Sequence, residues 1–457
     1  MPENDTPISI HWFRRDLRLD DNAGFYRALR GDHPVLPLFI FDKNILDKLP
    51  TRDARVEFLQ RTVEDLQRDL RGQRGDLIVR YGTPEQVWRD LLEEYPIGTV
   101  YTNHDYETYA KERDGRIEDL LAERDIPFRT YKDHVIFEKS EVVKNDGNPY
   151  VVFTPYKNKW LEKLTSRAPV GSKTSEETDT FYLQPYPNRA YFGNLFPTSE
   201  PLPMPSLADM GFEPTNTHIP PVRVADELIR HYDETRNFPA IEGTSRLGIH
   251  LRHGTVSIRA KARRARALND TFLVELVWRD FYAQILHHFP HVETAPFRAK
   301  YEAIPWRDDE DDFQRWCDGT TGYPIVDAGM RELNETGYMH NRVRMIVASF
   351  LTKHLLLSWQ WGESYFAEKL LDYDLASNNG GWQWAAGCGT DAQPYFRVFN
   401  PESQMKKFDK NKVYIRRWVP EFGTDAYPAP MVEHKMARER AISTYKRALT
   451  GSEPVKL

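Results

Sequence analysis

The chain has few cysteines and no apolar run long enough to cross a membrane. Only two cysteines, Cys317 and Cys388, occur in 457 residues, and neither has a Cys or His neighbour at metal-ligand spacing. Disulfide frameworks and zinc sites need more such ligands, so we predict neither a disulfide nor a bound metal. No stretch reaches the ~18 apolar residues of a membrane-spanning helix, and residues 1–7 are short and polar. These absences predict a cytoplasmic protein without a membrane partner.

The chain also lacks an excess of positive charge. Its net charge of −6 argues against a protein that coats DNA non-specifically. Hydrophobic content of 40% and charged content of 28% are typical of a soluble globular protein, and the length predicts two domains. Two basic runs fit either solvated helix faces or a small DNA contact: Arg259, Lys261, Arg263, Arg264 and Arg266, then Lys406, Lys407, Lys410, Lys412, Arg416 and Arg417.

The first part of the chain alternates two kinds of segment. Short apolar runs predict buried strands at residues 8–13, 35–41, 77–80 and 98–103. Amphipathic stretches predict helices at residues 55–70, 84–95 and 106–123. This alternation predicts a Rossmann-like, doubly wound parallel sheet over residues 1–135, in an α/β plus all-α protein. The Gly-x-Gly-x-x-Gly fingerprint is absent, because the turn after the first run reads Arg14-Arg15-Asp16-Leu17-Arg18-Leu19.

The rest of the chain divides in two. Proline, serine, threonine and glutamate accumulate over residues 136–221, which predicts a long interdomain connector with short helices. Residues 222–457 read as helical almost throughout, with apolar helices at 346–359 and 437–449. We therefore predict an all-helical C-terminal domain.

Three stretches of this helical part carry unusual chemistry. Glu275 lies in an apolar helical run, where a buried carboxylate is costly without a partner, and Trp278 shares its helix face. The alternative is a glutamate on the exposed stripe of an amphipathic helix. Residues 337–345 could present Asn341, Arg342 and Met345 on one face, or be an ordinary capped helix start. Residues 371–384 combine paired acids, amides, glycines and tryptophans, which favours the binding of a polar ring edge.

These stretches, with Gly243-Thr244-Ser245-Arg246-Leu247 upstream, resemble the photolyase/cryptochrome family, and more narrowly its class I cyclobutane pyrimidine dimer photolyases. The resemblance covers nearly the whole chain, from Trp12-Phe13-Arg14-Arg15-Asp16-Leu17-Arg18 to Tyr395-Phe396-Arg397-Val398-Phe399-Asn400-Pro401. It implies light-dependent DNA repair. Reduced FAD, excited by blue light, would transfer an electron to a pyrimidine dimer flipped out of UV-damaged DNA and split it into two pyrimidines.

The resemblance also implies roles for individual residues. The FAD phosphates would be held by Tyr232, Thr244, Ser245, Arg246 and Leu247. The flavin ring would lie among Arg344, Asp372, Asp374 and Asn378, with Trp278 and Asn341 also near the cofactor. Glu275 and Asn378 would be catalytic, together with an electron relay of Trp306, Trp359 and Trp382. The dimer pocket and DNA contacts would comprise Glu275, Trp278, Asn341, Arg342, Met345, Trp384 and Arg397, with Lys157, Lys159, Lys406 and Lys407 as further phosphate contacts.

Some features depart from the family or leave alternatives open. Gly248 stands where many relatives carry a serine, which removes one side-chain contact to the FAD phosphates. The segment at Tyr109-Ala110 lacks the Asn-Glu pair of folate-binding relatives, so a deazaflavin or flavin antenna, contacted by Arg52 and Asp105, is favoured over folate. The rival functions are a (6-4) photoproduct photolyase, whose paired pocket histidines are not found here, and a blue-light signalling cryptochrome. Asn378 and the end of the chain soon after residue 449 favour repair over signalling. We also expect a monomer.

Overall fold

The computed structural model describes residues 6–165 and 178–450. Contacts between Cα atoms group the chain into two compact units, and each unit is assembled from separated segments. Unit 1 comprises Met1–Glu141, Trp160–Arg223 and Leu247–Ala267, and unit 2 comprises Val142–Lys159, Val224–Arg246 and Leu268–Leu457. The predicted connector is thus distributed over both units, and its residues 166–177 lie outside the described residues. In the described ranges, no helix combines the length and apolarity needed to cross a bilayer.

Unit 1 contains a five-stranded sheet in which every pair of strands is parallel. Its order is β3-β2-β1-β4-β5. Side chains alternate between two apolar layers, because successive residues of a strand point to opposite faces: Trp12 packs in one layer and Phe13 in the other. The predicted doubly wound sheet and helical C-terminal region are confirmed. The strands are β1 (Ile8–Phe13), β2 (Val35–Asp42), β3 (Ile78–Gly82), β4 (Ile97–Asn103) and β5 (Phe128–Tyr131).

Helices make up most of the remaining regular structure. Within the described ranges the α-helices are, in chain order, α1 (Ala23–Leu29), α2 (Lys43–Leu46), α3 (Ala54–Arg71), α4 (Pro84–Glu94), α5 (Thr108–Ala122), α6 (Phe153–Thr165), α7 (Asp226–Arg230), α8 (Tyr232–Thr235), α9 (Gly248–His253), α10 (Ile258–Leu268), α11 (Asp270–His288), α12 (Glu310–Cys317), α13 (Pro324–Thr336), α14 (Asn341–Ser349), α15 (Trp359–Lys369), α16 (Leu375–Ala386), α17 (Pro401–Phe408), α18 (Val413–Trp418) and α19 (His434–Thr450). Short 3-10 helices occupy Thr178–Leu183, Asn188–Asn194, Ala208–Met210, Pro290–Glu293 and Ala299–Ala303, and a π-helix occupies Phe350–Leu355.

A buried ion-pair network explains why α10 belongs to unit 1. Arg259 of α10 is 5% exposed and donates to Asp21 Oδ1 at 2.8 Å and to Asp133 Oδ1 at 2.7 Å. Asp133 also accepts from Arg18 and from the backbone N–H of Ala23. The first basic run is therefore not a uniformly solvated face, because its first arginine is buried against two carboxylates.

The prediction of one apolar helix over residues 346–359 was wrong. α14 ends at Ser349, the chain continues as a π-helix to Leu355, and Leu356 adopts a left-handed conformation with φ of 56°. The Leu356 carbonyl then accepts from the backbone N–H of Arg307 at 2.8 Å. Trp359 starts a new helix, α15, whose N-cap is Ser358. A contact with a segment distant in sequence thus ends the helix, and no glycine or proline signals it.

Candidate functional site

Unit 2 encloses a cavity of about 450 Å³. Its walls come from α11, α14, α15, α16 and the segment before α16, and Arg236 joins them from the end of α8. The volume lies in the range of ligand and cofactor sites, about 300–1,000 Å³. The predicted site residues that line it are Glu275, Trp278, Asn341, Arg342, Arg344, Met345, Asp372, Asp374, Asn378, Trp382 and Trp384.

Glu275 lines this cavity and forms an ion pair with Arg236, which the sequence analysis did not predict as a site residue. Arg236 donates from its guanidinium to Glu275 Oε1. Burial raises the pKa of the Glu275 carboxyl, and the charge of Arg236 opposes part of that rise. The carboxyl oxygens of Glu275 can hydrogen-bond the polar edge of a ligand in this cavity.

A second ion pair lies on another wall of the cavity. Arg344 donates to Asp372 at 3.1 and 2.9 Å, and its Nε donates to the Met339 carbonyl at 2.7 Å. Asp372 holds the pKa of Arg344 above its usual value, although burial alone would lower it. Close by in sequence, Asp374 caps α16 by accepting from the Ser377 backbone N–H at 3.1 Å. The pair and the cap fix the polar groups that line this wall.

Asn378 is held by a glutamate of α15. Its Nδ2 donates to Glu363 Oε1 at 3.0 Å and to the Glu363 carbonyl at 3.1 Å. Burial raises the pKa of Glu363, and the hydrogen bond from Asn378 opposes that rise. These two bonds orient the amide, so that its side chain lines the cavity with a fixed position.

Trp278 has two aromatic neighbours. Phe153, at the start of α6, stacks on it with ring centroids 3.5 Å apart and planes within 6°. Tyr282, one turn further along α11, lies 5.5 Å from Trp278 at 30°. A Cβ on Gly380 would come within 2.2 Å of the Tyr282 ring, so this glycine lets α16 approach α11. Trp384 lines the same cavity and is half-buried.

Arginines form a positive group beside the cavity. Burial lowers the pKa of Arg342, and the charges of Arg236 and Arg397 lower it further. Arg342 donates to Asn237 Oδ1 at 2.6 Å, while its buried Nε has no hydrogen-bond partner in the described part of the chain. Its guanidinium lies 4.6 Å from the Phe408 ring. This convergence of cations can receive an anionic ligand.

Several predicted residues do not line the cavity. Thr244 Oγ1 lies 3.0 Å from Tyr338 Oη, and the Arg246 guanidinium lies 4.6 Å from the Tyr338 ring. Arg246 is exposed with a φ of 49°, a left-handed conformation that costs ~1 kcal/mol for a non-glycine residue. The residues outside the cavity lining are Tyr232, Thr244, Ser245, Arg246, Leu247, Trp306, Trp359 and Arg397, and Leu247 falls in unit 1.

The three predicted relay tryptophans share one apolar core. Trp359 and Trp382 are buried in it, and Trp306 packs against it partly buried. Trp382 lines the cavity, and Trp306 contacts Tyr445 edge-on with ring centroids 5.8 Å apart. The structure therefore places one of the three at the cavity wall.

Sequence reasoning missed four residues that position the site. Arg236 bonds Glu275, Glu363 bonds Asn378, and Phe153 stacks on Trp278, while Tyr338 contacts both Thr244 and Arg344. Tyr338 lies in the stretch of residues 337–345, so the sequence analysis could have included it among the candidate site residues. The other three lie in stretches without a distinctive pattern.

The sequence of the chain matches known protein families and relatives. Residues 272–425 match the FAD binding domain of DNA photolyase, and residues 9–174 match the DNA photolyase family. A deoxyribodipyrimidine photo-lyase of Halobacterium salinarum is 38% identical, over 96% of this chain and 99% of its own length.

Two solved structures share the fold. A class III photolyase from Agrobacterium tumefaciens superposes with a TM-score of 0.83 at 33% identity, covering 97% of this chain and 98% of its own. An archaeal photolyase from Sulfolobus tokodaii with two FAD molecules gives a TM-score of 0.80 at 33% identity, covering 96% and 99%.

Proposed function

The chain belongs to the DNA photolyase family and is an enzyme of that family, and on this premise we propose that it splits cyclobutane pyrimidine dimers in UV-damaged DNA under blue light. The chain carries the family's FAD-binding domain. When bound and reduced, FAD would supply the light-excited electron that opens the cyclobutane ring. The observation that carries the proposal is one cavity that brings Glu275, Trp278 and Trp384 together with the Arg344–Asp372 pair and Asn378.

The residues of this cavity fit a flavin. Arg344, Asp372, Asp374 and Asn378 supply donors and acceptors for the polar edge of an isoalloxazine ring. Asn378 would stabilise the reduced ring. The orphaned Nε of Arg342 shows that a buried donor of this cavity lacks an acceptor among the described residues, as expected where a ligand belongs. Thr244, Ser245 and Arg246 would hold the phosphates, which extend away from the ring.

The same cavity fits a flipped dimer. Trp278 and Trp384 would stack on the two bases, which offsets about 1–3 kcal/mol of unstacking cost per base. Glu275 would hydrogen-bond a base of the dimer and stabilise charge that develops there. Arg342 and Arg397 would contact the flanking phosphates, together with the exposed Lys406 and Lys407 of α17.

The cyclobutane dimer is favoured over the two rival functions by particular residues. No histidine is found among the described residues that line the cavity, whereas a (6-4) photolyase would need paired histidines there. Asn378 lines the cavity at the position where signalling cryptochromes carry another residue, which supports repair. Within the family we propose class I, on the motifs at residues 272–282 and 371–384.

We further propose that a monomer carries a deazaflavin or flavin antenna in unit 1. The Sulfolobus tokodaii photolyase with its two FAD molecules supports a flavin at such a second site. In this chain Tyr109 donates to Asp42 Oδ2 at 2.6 Å, beyond the end of β2, and Asp105 accepts from Arg15 at 2.9 Å. Arg52 is exposed and free to contact a ring. Chromatography of the released chromophores identifies the antenna, and a folate would contradict this proposal.

The decisive experiment uses photoreduced, FAD-loaded protein and an oligothymidine that contains a cyclobutane dimer. We expect thymine absorbance to recover under blue light and not in darkness. An oligonucleotide with a (6-4) photoproduct serves as the matched control and should stay unrepaired. Repair of only the (6-4) substrate, or of neither with reducible FAD bound, would overturn the proposal.

Replacing Glu275 tests its role in this reaction. We expect Glu275→Ala to lower the repair yield roughly tenfold, since one hydrogen bond to a developing charge contributes about 1.5–3 kcal/mol. Glu275→Gln should retain more activity, because its amide can still donate. Both variants should keep their FAD, as measured by absorbance per protein. An unchanged yield in Glu275→Ala would show that the carboxyl has no part in repair.

A further inference from the structure

Unit 1 contains a second cavity, whose residues have no part in the proposed repair. Its volume is about 330 Å³. It is lined from the end of α1, from the loop between α1 and β2, and from β4 and β5. Ligands of such folds are expected at the edge where the strands end. The α1–β2 loop lies instead where the strands begin, so this cavity is distinct from the expected antenna position.

The cavity concentrates unpaired positive charge. Arg27, Arg30 and Arg129 line it and are exposed, and none of them forms an ion pair within the described part of the chain. Many other arginines of unit 1, such as Arg14 and Arg259, pair with carboxylates. Asp32 is the one carboxylate in this lining, so three guanidinium groups outweigh a single negative charge. The net positive potential of the cavity attracts anions.

Aromatic rings rather than acids hold these guanidinium groups. The Arg27 guanidinium lies 5.9 Å from the Tyr131 ring, and that of Arg129 lies 5.7 Å from the Tyr101 ring. The two tyrosine rings are nearly parallel, at 10°. Arg30 also donates to Tyr26 Oη at 3.1 Å, and Arg129 is hydrogen-bonded to Tyr101. A guanidinium has five N–H donors, so the remaining ones can still bind an anion.

The walls of the cavity are fixed by packing. Tyr101 is 3% exposed, and a Cβ on Gly31 would come within 2.9 Å of its hydroxyl. A Cβ on Gly98 would come within 3.0 Å of the His33 ring. Asn194 Nδ2 also donates to the carbonyl of Leu29 at the end of α1 and to those of Gly31 and His33 in the α1–β2 loop, with distances of 3.1, 3.4 and 3.2 Å. The tyrosine floor and the loop are therefore held before any ligand arrives.

We propose that this cavity binds a nucleoside phosphate. Guanidinium forks match phosphate oxygens with two parallel hydrogen bonds, and His33 adds a further polar contact. The exposed side of Tyr131 offers a surface on which a base can stack. A volume of 330 Å³ is much larger than one phosphate needs and falls within the size range of sites for small organic ligands.

The test is calorimetric titration of the FAD-loaded protein, so that its own adenine-binding site is already filled. ADP is titrated first, then pyrophosphate and inorganic phosphate. We expect ADP to bind at one site per chain. The double variant Arg27→Gln/Arg129→Gln should weaken ADP binding at least tenfold, since two charge-assisted contacts are lost. Arg89→Gln, an exposed arginine of α4 outside the cavity, should bind ADP as the original chain does.

A second variant separates the base from the phosphates. Tyr131→Leu should weaken ADP binding several-fold and leave pyrophosphate binding unchanged, because only the stacking surface is lost. Absence of ADP binding, or equal ADP binding by the double arginine variant, overturns the proposal. If the double variant loses only affinity for an undamaged oligonucleotide, the arginines contact DNA, and the proposal fails as well. The flavin content and dimer repair of all variants should be unchanged.

Discussion

Phe153, the first residue of α6, packs flat against Trp278. It sits in the stretch that the sequence reads as connector, yet it is 6% exposed and covers one face of Trp278. A tryptophan backed by a parallel ring has fewer orientations, so less entropy is lost when a base stacks on its free surface. Phe153 is thus a positioning residue for the proposed dimer pocket.

We predict that Phe153→Leu weakens binding of dimer-containing DNA several-fold while FAD stays bound. Leucine keeps the apolar volume but cannot stack, and aromatic pairs contribute about 0.5–1.5 kcal/mol beyond burial. Phe153→Tyr is the matched control, since it retains the ring. Fluorescence anisotropy of a labelled oligonucleotide measures both affinities. Equal loss in the two variants would mean that the volume at this position matters and the stack does not.

The cavity residues show which parts of the site a sequence reveals. Asn378 lies in a short stretch whose residue types are improbable together, which indicates a site. Glu275 and Trp278 are assigned to that site only by the resemblance of the sequence to the photolyase/cryptochrome family. Arg236 and Glu363 could not be predicted, because each is an ordinary charged residue until folding brings it to a partner 39 or 15 positions away. Pair partners distant in sequence carry no local pattern.

The contact between α15 and α16 depends on a glycine. A Cβ on Gly362 would lie 2.1 Å from the Trp382 ring and 2.6 Å from Leu351. We predict that Gly362→Ala destabilises the protein by about 1–3 kcal/mol, the usual cost of overpacking, and lowers the FAD content because Trp382 lines the cavity.

Urea unfolding and flavin absorbance per protein measure these two effects. Gly115→Ala in α5 is the control, since a Cβ there meets nothing within 4 Å. It should raise stability by about 0.5–1 kcal/mol through helix propensity. A neutral result for Gly362→Ala would show that the two helices can separate without cost.

The π-helix buries a lysine. Lys353 is 0% exposed; its Nζ donates to the Ala386 carbonyl at 2.8 Å and lies 3.6 Å from the Tyr445 ring. Burial lowers its pKa to about 7. In the unfolded chain the pKa is about 10.4, so between these values the unfolded chain binds more protons than the folded protein.

The free energy of unfolding should therefore rise with pH above 7, by at most about 1.4 kcal/mol per pH unit. Urea midpoints at pH 7 and pH 9 measure this rise. In Lys353→Met the rise should disappear, and the variant should be more stable than the original chain at the lower pH. The same slope in both proteins would assign the pH dependence to other groups.

Elements differ in how well their sequence predicts them. β1 and β2 are fully buried runs of apolar residues, so their positions could be predicted closely. β5 was missed because it has four residues and includes the exposed Arg129 and Thr130, which break the apolar pattern. α1 was missed because it spans only seven residues. Short elements are determined by neighbours that local periodicity does not include.

On the scale of the whole molecule, the buried Arg259 of α10 forms ion pairs with Asp21 and Asp133, which lie far from it and from each other in the sequence of unit 1. Removing it would leave Asp21 and Asp133 buried with less compensation. We predict that Arg259→Met destabilises unit 1 by about 3–5 kcal/mol. Lys261→Met on the same helix is the control and should change stability little, because this lysine is only half-buried. Thermal unfolding, monitored by circular dichroism, measures the stability of both variants. Equal stabilities of Arg259→Met and Lys261→Met would show that the ion pairs of Arg259 do not stabilise unit 1.

This discontinuous layout also bears on how the protein is made. The five strands are complete once residue 131 has been synthesised, but Arg259, the second arginine that pairs with Asp133 after Arg18, follows more than a hundred codons later. Nascent chains fold as they leave the ribosome, at about 5–20 residues per second. The sheet must therefore wait several seconds, exposed and incompletely charge-balanced, until α10 emerges. A protein truncated after residue 223 would lack α10, so its sheet would permanently lack the ion pairs of Arg259 with Asp21 and Asp133.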